Sequence, residues 1–166
     1  MRRIKHTAAF GVLCLLSSPT QAQVLDQKNI SLKLAMTIAQ AAMDSCSKQG
    51  FHNSLHVVDR SGQVILAMRG DDSNPHTYEN SFRKAYTAKT LQIETSEFVK
   101  RLADPATAAG AAQQATLPNM IGLAGGVPIK TGNFVIGAIA LSGSPTAMKD
   151  EDCARVGIAA AVDQLK

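Results

Sequence analysis

Two glycine-punctuated hairpins, separated by a lysine-bearing helix, restrict this chain to folds built on an antiparallel sheet. The first hairpin runs Leu55-His56-Val57-Val58-Asp59-Arg60, then Ser61-Gly62, then Gln63-Val64-Ile65-Leu66-Ala67-Met68. A short Gly-bearing connection between runs of β-formers is a hairpin signal, because glycine tolerates the backbone angles of a tight turn. The second hairpin pairs residues 121–129 with 133–141 across Lys130-Thr131-Gly132-Asn133. Between them the spacing predicts a helix from His76 or Thr77 to Leu91, with Tyr78, Phe82, Ala85, Tyr86 and Lys89 on adjoining positions of one side.

Helical periodicity also marks both ends of the domain. Leu32, Ala35, Met36, Ala39, Ala42, Met43 and Cys46 recur at helical spacing over 32–48, with Ser31 as N-cap and Gly50 as stop. A last helix is expected over 148–166, where Asp150, Glu151 and Asp152 suit the positive end of the helix dipole. A short helix follows Ser96, and the alanine-rich stretch 103–118 shows no clear pattern. Hairpin-paired strands with helices grouped outside them give an α+β domain.

The first 22 residues read as a secretory leader outside that domain. Arg2, Arg3 and Lys5 precede an apolar run over 7–16, and Thr20 and Ala22 occupy the −3 and −1 positions of a cleavage site before Gln23. The run is shorter than the roughly 20 apolar residues a membrane span needs. A single domain over 23–166 and a periplasmic or secreted location are the expectations. Without the leader, 17 basic residues fall to 14 against 13 acidic ones, a balance of +1. A nearly neutral chain with no basic run offers no electrostatic case for nucleic acid binding. Export would place Cys46 and Cys153 where a disulfide persists. They are either two small buried residues or a bridge between the first and last helices, which an antiparallel packing would bring together.

No metal-ligand spacing, phosphate loop or nucleophile elbow is present. The candidates for chemistry are three histidines. His52 precedes the first strand, His56 lies within it, and His76 follows the breaker-rich loop 70–75. Imidazole ligates iron or haem and moves protons, although a lone histidine is more often structural. His76 is the expected metal ligand, since binding residues gather on loops. Tyr78 and Phe82 beside it are candidates for an apolar wall. Lys84 is either a partner for a carboxylate or a solvated lysine. Gly125-Gly126 serves either unusual backbone angles or close approach of a ligand.

Taken together, Val57-Val58-Asp59-Arg60-Ser61-Gly62, Arg69 with Asp71, Lys84-Ala85-Tyr86-Thr87-Ala88, Gly125-Gly126-Val127-Pro128-Ile129, Ile136-Gly137-Ala138-Ile139 with Ser142-Gly143, and Asp150-Glu151-Asp152 with Ala154 resemble one family. This is the GlcG/HbpS-like haem-binding family, DUF336, also found as the C-terminal domain of PduO-type proteins. The resemblance implies a profilin-like sandwich, with an antiparallel sheet of about five strands and the terminal helices packed together. It implies homo-oligomers, haem as cofactor, and for secreted members haem sequestration or sensing beside a membrane signalling partner. It places the pocket at the Lys84–Ala88 segment, with Thr87, Gly125 and Gly126 among its residues, and Lys84 or Arg83 meeting the propionates. Two other readings stay open. One is an enzyme acting on a small organic acid or aldehyde, with Lys84 and a histidine as acid–base groups. The other is an oligomeric signalling module without catalysis.

Overall fold

The computed structural model describes residues 23–166, so the leader expected over 1–22 lies outside the described residues. Helix α1 (Leu32–Ser47) leads into the hairpin β1 (Ser54–Asp59) and β2 (Val64–Arg69). Three helices follow, α2 (Pro75–Leu91), α3 (Thr95–Ala103) and α4 (Ala108–Ala115). The second hairpin, β3 (Gly126–Thr131) and β4 (Phe134–Ser142), precedes α5 (Ala147–Ala159) and a short 3-10 turn, Val162–Gln164. The strands form one antiparallel sheet in the order β2-β1-β4-β3.

Strand alternation divides the core in two. Leu55 and Val57 of β1, with Ile139 and Leu141 of β4, face α1 and α5 and meet Ala35, Ile38, Ala39, Ala42 and Ala154. Val58, Ala138 and Ala140 face α2 and meet Ala85 and Ala88. Small side chains on that side let α2 lie close to the sheet. Each fully buried Leu, Ile or Val on the other side contributes roughly 1.5–3 kcal/mol. Cys46 and Cys153 are joined by a disulfide, S–S 2.16 Å with Cα atoms 5.7 Å apart. Of the two readings open in the sequence, the bridge between terminal helices is the one found.

Three expectations are corrected. Among the described residues the sheet has four strands, not about five. Residues 121–125 do not extend β3, because Gly125 sits at φ +125° and its amide donates to the Glu151 carboxylate, 3.1 Å away. The final helix closes at Ala159, and the turn beyond it brings Ala161 and Leu165 onto the core. Within the unpatterned 103–118 stretch, α4 buries only Ala111, which is why no amphipathic period is visible there.

Candidate functional site

Helix α2 organises the chemistry because three of its sides do different things. Thr77, Ser81, Lys84, Ala85 and Ala88 form the buried side. Tyr78, Phe82 and Tyr86, four residues apart, form an aromatic row whose Tyr86 end lies against Gly62 in the β1–β2 turn. Arg83 and Thr87 hold the segment before β3: the Arg83 guanidinium donates to the Met120 carbonyl, and Thr87 Oγ1 accepts from the Ile121 amide at 2.9 Å.

His56 lies under the aromatic row. Its ring centroid is 4.5 Å from Tyr78 in an edge-on arrangement and 5.8 Å from Phe82, while Phe82 and Tyr86 are 6.0 Å apart. In register beside it stand Ala67 of β2 and Ala140 of β4. His56 Nδ1 is 2.8 Å from Ser81 Oγ, and that hydroxyl donates to the Tyr78 carbonyl at 2.9 Å. Only 3% of the residue is exposed. Burial disfavours the imidazolium and pushes the His56 pKa down to about 4, so the ring is neutral at physiological pH. The unfolded chain binds a proton below about pH 6.5, whereas the folded chain waits until about pH 4. His56 therefore contributes stability at neutral pH that is lost as pH falls through that window, by about 3 kcal/mol in full. Urea unfolding at pH 7.5 and 4.5 is expected to show a smaller acid loss in His56→Gln than in the wild type. An equal loss in both would contradict this.

A second polar group lies further along the buried side of α2. Lys84 Nζ is 2.8 Å from Asp150 Oδ2 and donates to the Leu141 carbonyl at 3.2 Å, with both charged side chains 3% exposed. Asp150 Oδ1 accepts from Asn53 Nδ2 at 2.8 Å and from the Ser144 amide at 2.9 Å. The adjacent Glu151, fully buried, accepts from the Ser96 amide and hydroxyl, from Gly125 N and from Arg155. Arg155 also grips Glu94, and this hydrogen bond holds the Glu94 carboxyl below its usual range. The Gly125-Gly126 pair is thus accounted for by packing. A Cβ on Gly126 would press on the Lys84 carbonyl oxygen, and one on Gly125 would meet Lys84 Nζ at 2.9 Å. Gly126→Ala is expected to lower stability by about 1–3 kcal/mol in a denaturant melt. Gly110→Ala in α4, where nothing lies within 4 Å, should not destabilise.

The structure therefore sorts the expected residues into separate places. It brings His56, Tyr78 and Phe82 together. It gathers Lys84, Gly125 and Gly126 elsewhere, where the Lys84 ammonium faces Asp150. Thr87 fastens a loop. His76 is exposed in the first turn of α2, and His52 is exposed with Nδ1 3.0 Å from the Asp71 carbonyl. The three histidines do not converge, and no cluster of three or more His, Cys, Asp or Glu is found among the described residues. A cleft of about 520 Å³ between α3, residues 122–124 and the start of α5 is walled by Val99, Leu123 and Met148, and it borders none of these histidines.

Sequence reading missed Ser81, Asp150 and Glu151 as site-building residues. The signal was present. Asp150, Cys153, Ala154 and Gly157 are buried at i, i+3, i+4 and i+7, so these acids begin an apolar stripe. Ser81 and Lys84 share a stripe with Ala85 and Ala88.

Comparison with known proteins fixes the lineage. Residues 30–159 match the model of a family described as haem degrading protein HbpS-like. The chain belongs to the HbpS-like family. Among its relatives, protein GlcG of Escherichia coli K12 is 29% identical over 113 residues, covering 68% of this chain and 81% of GlcG. The crystal structure of a double mutant of Streptomyces reticuli HbpS superposes with a TM-score of 0.76 at 34% identity, over 86% of this chain and 96% of that one. A crystal structure of a PduOC:haem complex superposes with a TM-score of 0.72 at 22% identity, over 80% and 94% of the two chains, and shows the shared fold. HbpS-like membership accounts for the α+β fold, the paired terminal helices and the motif set that resembled GlcG and HbpS.

Proposed function

We propose that this is an exported haem-binding protein, acting in haem sequestration or sensing, with haem seated against the aromatic flank of α2. The observation that carries the reading is the row Tyr78, Phe82 and Tyr86 along α2, a helix whose first turn also presents the exposed His76. The donor types suit the group; His56 is sealed beneath α2 at 3% exposure, so the exposed His76 is the imidazole open to a bound ligand. A neutral imidazole is an iron ligand, and half-buried aromatic rings form an apolar platform for a planar macrocycle. Haem bound there would supply the iron; the protein would supply the ligand, the platform and the exclusion of water. The family description and the haem complex of the PduOC relative support haem as the ligand class. His76, on the first turn of α2, is the proposed iron ligand. With Lys84 held by Asp150 and Arg83 by the Met120 carbonyl, Lys89 is the α2 cation left for propionates.

The Cys46–Cys153 bridge supports export, since disulfides persist in oxidising compartments. A homo-oligomer would close the open side of the aromatic row, and a membrane signalling protein would read the loaded state. No helix among the described residues is long and apolar enough to cross a membrane. The test is haem binding by the purified protein, with sedimentation of the free and loaded forms. One haem per chain and a defined assembly are expected. Absence of saturable binding would overturn the reading in favour of a small organic acid ligand or a purely protein partner.

A further inference from the structure

We infer that the cavity at the C-terminal end of α2 is a binding site for a pair of carboxylates. Its volume is about 460 Å³, room for a small organic ligand. Three cations from three parts of the chain line it: Lys28 of the segment before α1, Arg60 of the β1–β2 turn, and Lys89 in the last turn of α2. Asp26 is the one acid of the lining, so three cations stand against one carboxylate, a balance of +2. Among the described residues no ion pair and no side-chain hydrogen bond engages any of the three. Arg60 and Lys89 are half-buried. Cations held partly out of water around one hollow repel one another, and an anion seated in it removes that cost.

The surroundings specify the ligand class. Phosphate sites use backbone amides at a helix N-terminus or in a nest of turns. This cavity meets the carbonyl end of α2 at Gln92 instead, so its affinity for anions comes from side chains set on separate segments. Cations spread in that way suit a ligand whose two negative groups are themselves apart. A guanidinium such as Arg60 pairs with a carboxylate through two parallel hydrogen bonds. Phe134, 60% exposed, and Val135 add an apolar wall for the carbon skeleton between the two groups. Lys28 Nζ stands 5.3 Å from the centre of the Phe134 ring, which holds its charge at the same wall. The three segments are fastened to one another. Asn29 Oδ1 accepts from the Arg60 amide at 3.1 Å and from the Ile30 amide at 3.0 Å, and Ile30 N also donates to the Ile136 carbonyl of β4. Asp59 Oδ1 accepts from the Ser61 and Gln63 amides and fixes the turn. Tyr86 packs on Gly62 and ties α2 to that turn. Two sources offer the chemistry: a soluble dicarboxylate, or the two propionates of haem. Only the second rests on the haem-binding reading above.

Calorimetric titration of the haem-free protein with succinate, glutarate, acetate and inorganic phosphate tests the first source. Saturable binding of a dicarboxylate is expected, with acetate and phosphate weaker by about 10-fold or more, because neither reaches cations on separate segments at once. Arg60→Ala and Lys89→Ala should each weaken binding by about 10-fold or more, the worth of a hydrogen bond to a charged group. Lys33→Ala, which removes an exposed lysine of α1 outside the cavity, should leave it unchanged. Haemin and its dimethyl ester test the second source. A similar loss of affinity on esterification, and in Arg60→Ala with haemin but not with the ester, assigns the carboxylate pair to haem. If a dicarboxylate binds and haemin does not, the haem-binding reading falls and this site stands. If haemin binds with an affinity that neither esterification nor Arg60→Ala changes, and no dicarboxylate binds in preference to acetate and phosphate, the haem-binding reading stands and this site is overturned. Binding of neither overturns both.

Discussion

Replacing Asp150 with alanine is expected to lower the unfolding free energy by about 3–5 kcal/mol, the range found when one partner of a buried ion pair is removed. The size follows from what the variant leaves behind. Lys84 Nζ, 3% exposed, would retain only the Leu141 carbonyl, and Asn53 Nδ2 and the Ser144 amide would lose their acceptor. These groups lie on α2, just before β1 and in the turn before α5, so the damage is shared by the layers that the pair joins. Urea unfolding measures it as a lower midpoint, and heat as a drop of roughly 10–20 °C. The double variant Lys84→Met, Asp150→Leu removes both charges. It should be less destabilised than Asp150→Ala, because no uncompensated charge remains. A loss below 1 kcal/mol for Asp150→Ala would show that the pair does not hold α2 to α5.

Reduction of the Cys46–Cys153 bridge should have an effect of similar size. The bridge spans 107 residues of sequence, nearly the whole domain. Closing a loop of that length removes conformational freedom from the unfolded chain worth up to about 5 kcal/mol in the chain-entropy account. The Cys46→Ser, Cys153→Ser variant, or the wild type in reductant, is expected to lose about 2–5 kcal/mol and roughly 10 °C in melting temperature. Because α5 carries Cys153 beside Asp150 and Glu151, the loss should also weaken the anchoring of Lys84 and Gly125. Quantitative thiol release with an unchanged melting curve would contradict this.

Much of the fold was legible because its determinants are local. Ser61-Gly62 between two β-rich runs marked the first hairpin, and helical spacing from Leu32 to Cys46 marked α1 to within a residue or two. The late start of β3 at Gly126 was not legible. Residues 121–125 carry the apolar character of a strand, yet a carboxylate from α5, distant in sequence, captures the Gly125 amide. The candidate site was read in part. The histidine types and the aromatic residues pointed to α2, but loop position favoured His76. What buries His56 is its pairing with Ser81, 25 positions later, a tertiary contact no spacing announces. Lys84 shows the same limit from the other side. Its place on the alanine stripe signalled burial, and the carboxylate that neutralises it lies 66 residues away.

The central claim is tested most directly by titrating the purified protein with haemin and following the Soret band. The account predicts a shifted band that saturates at about one haem per chain and that is lost in His76→Ala. A featureless, non-saturating response in the wild type would contradict it.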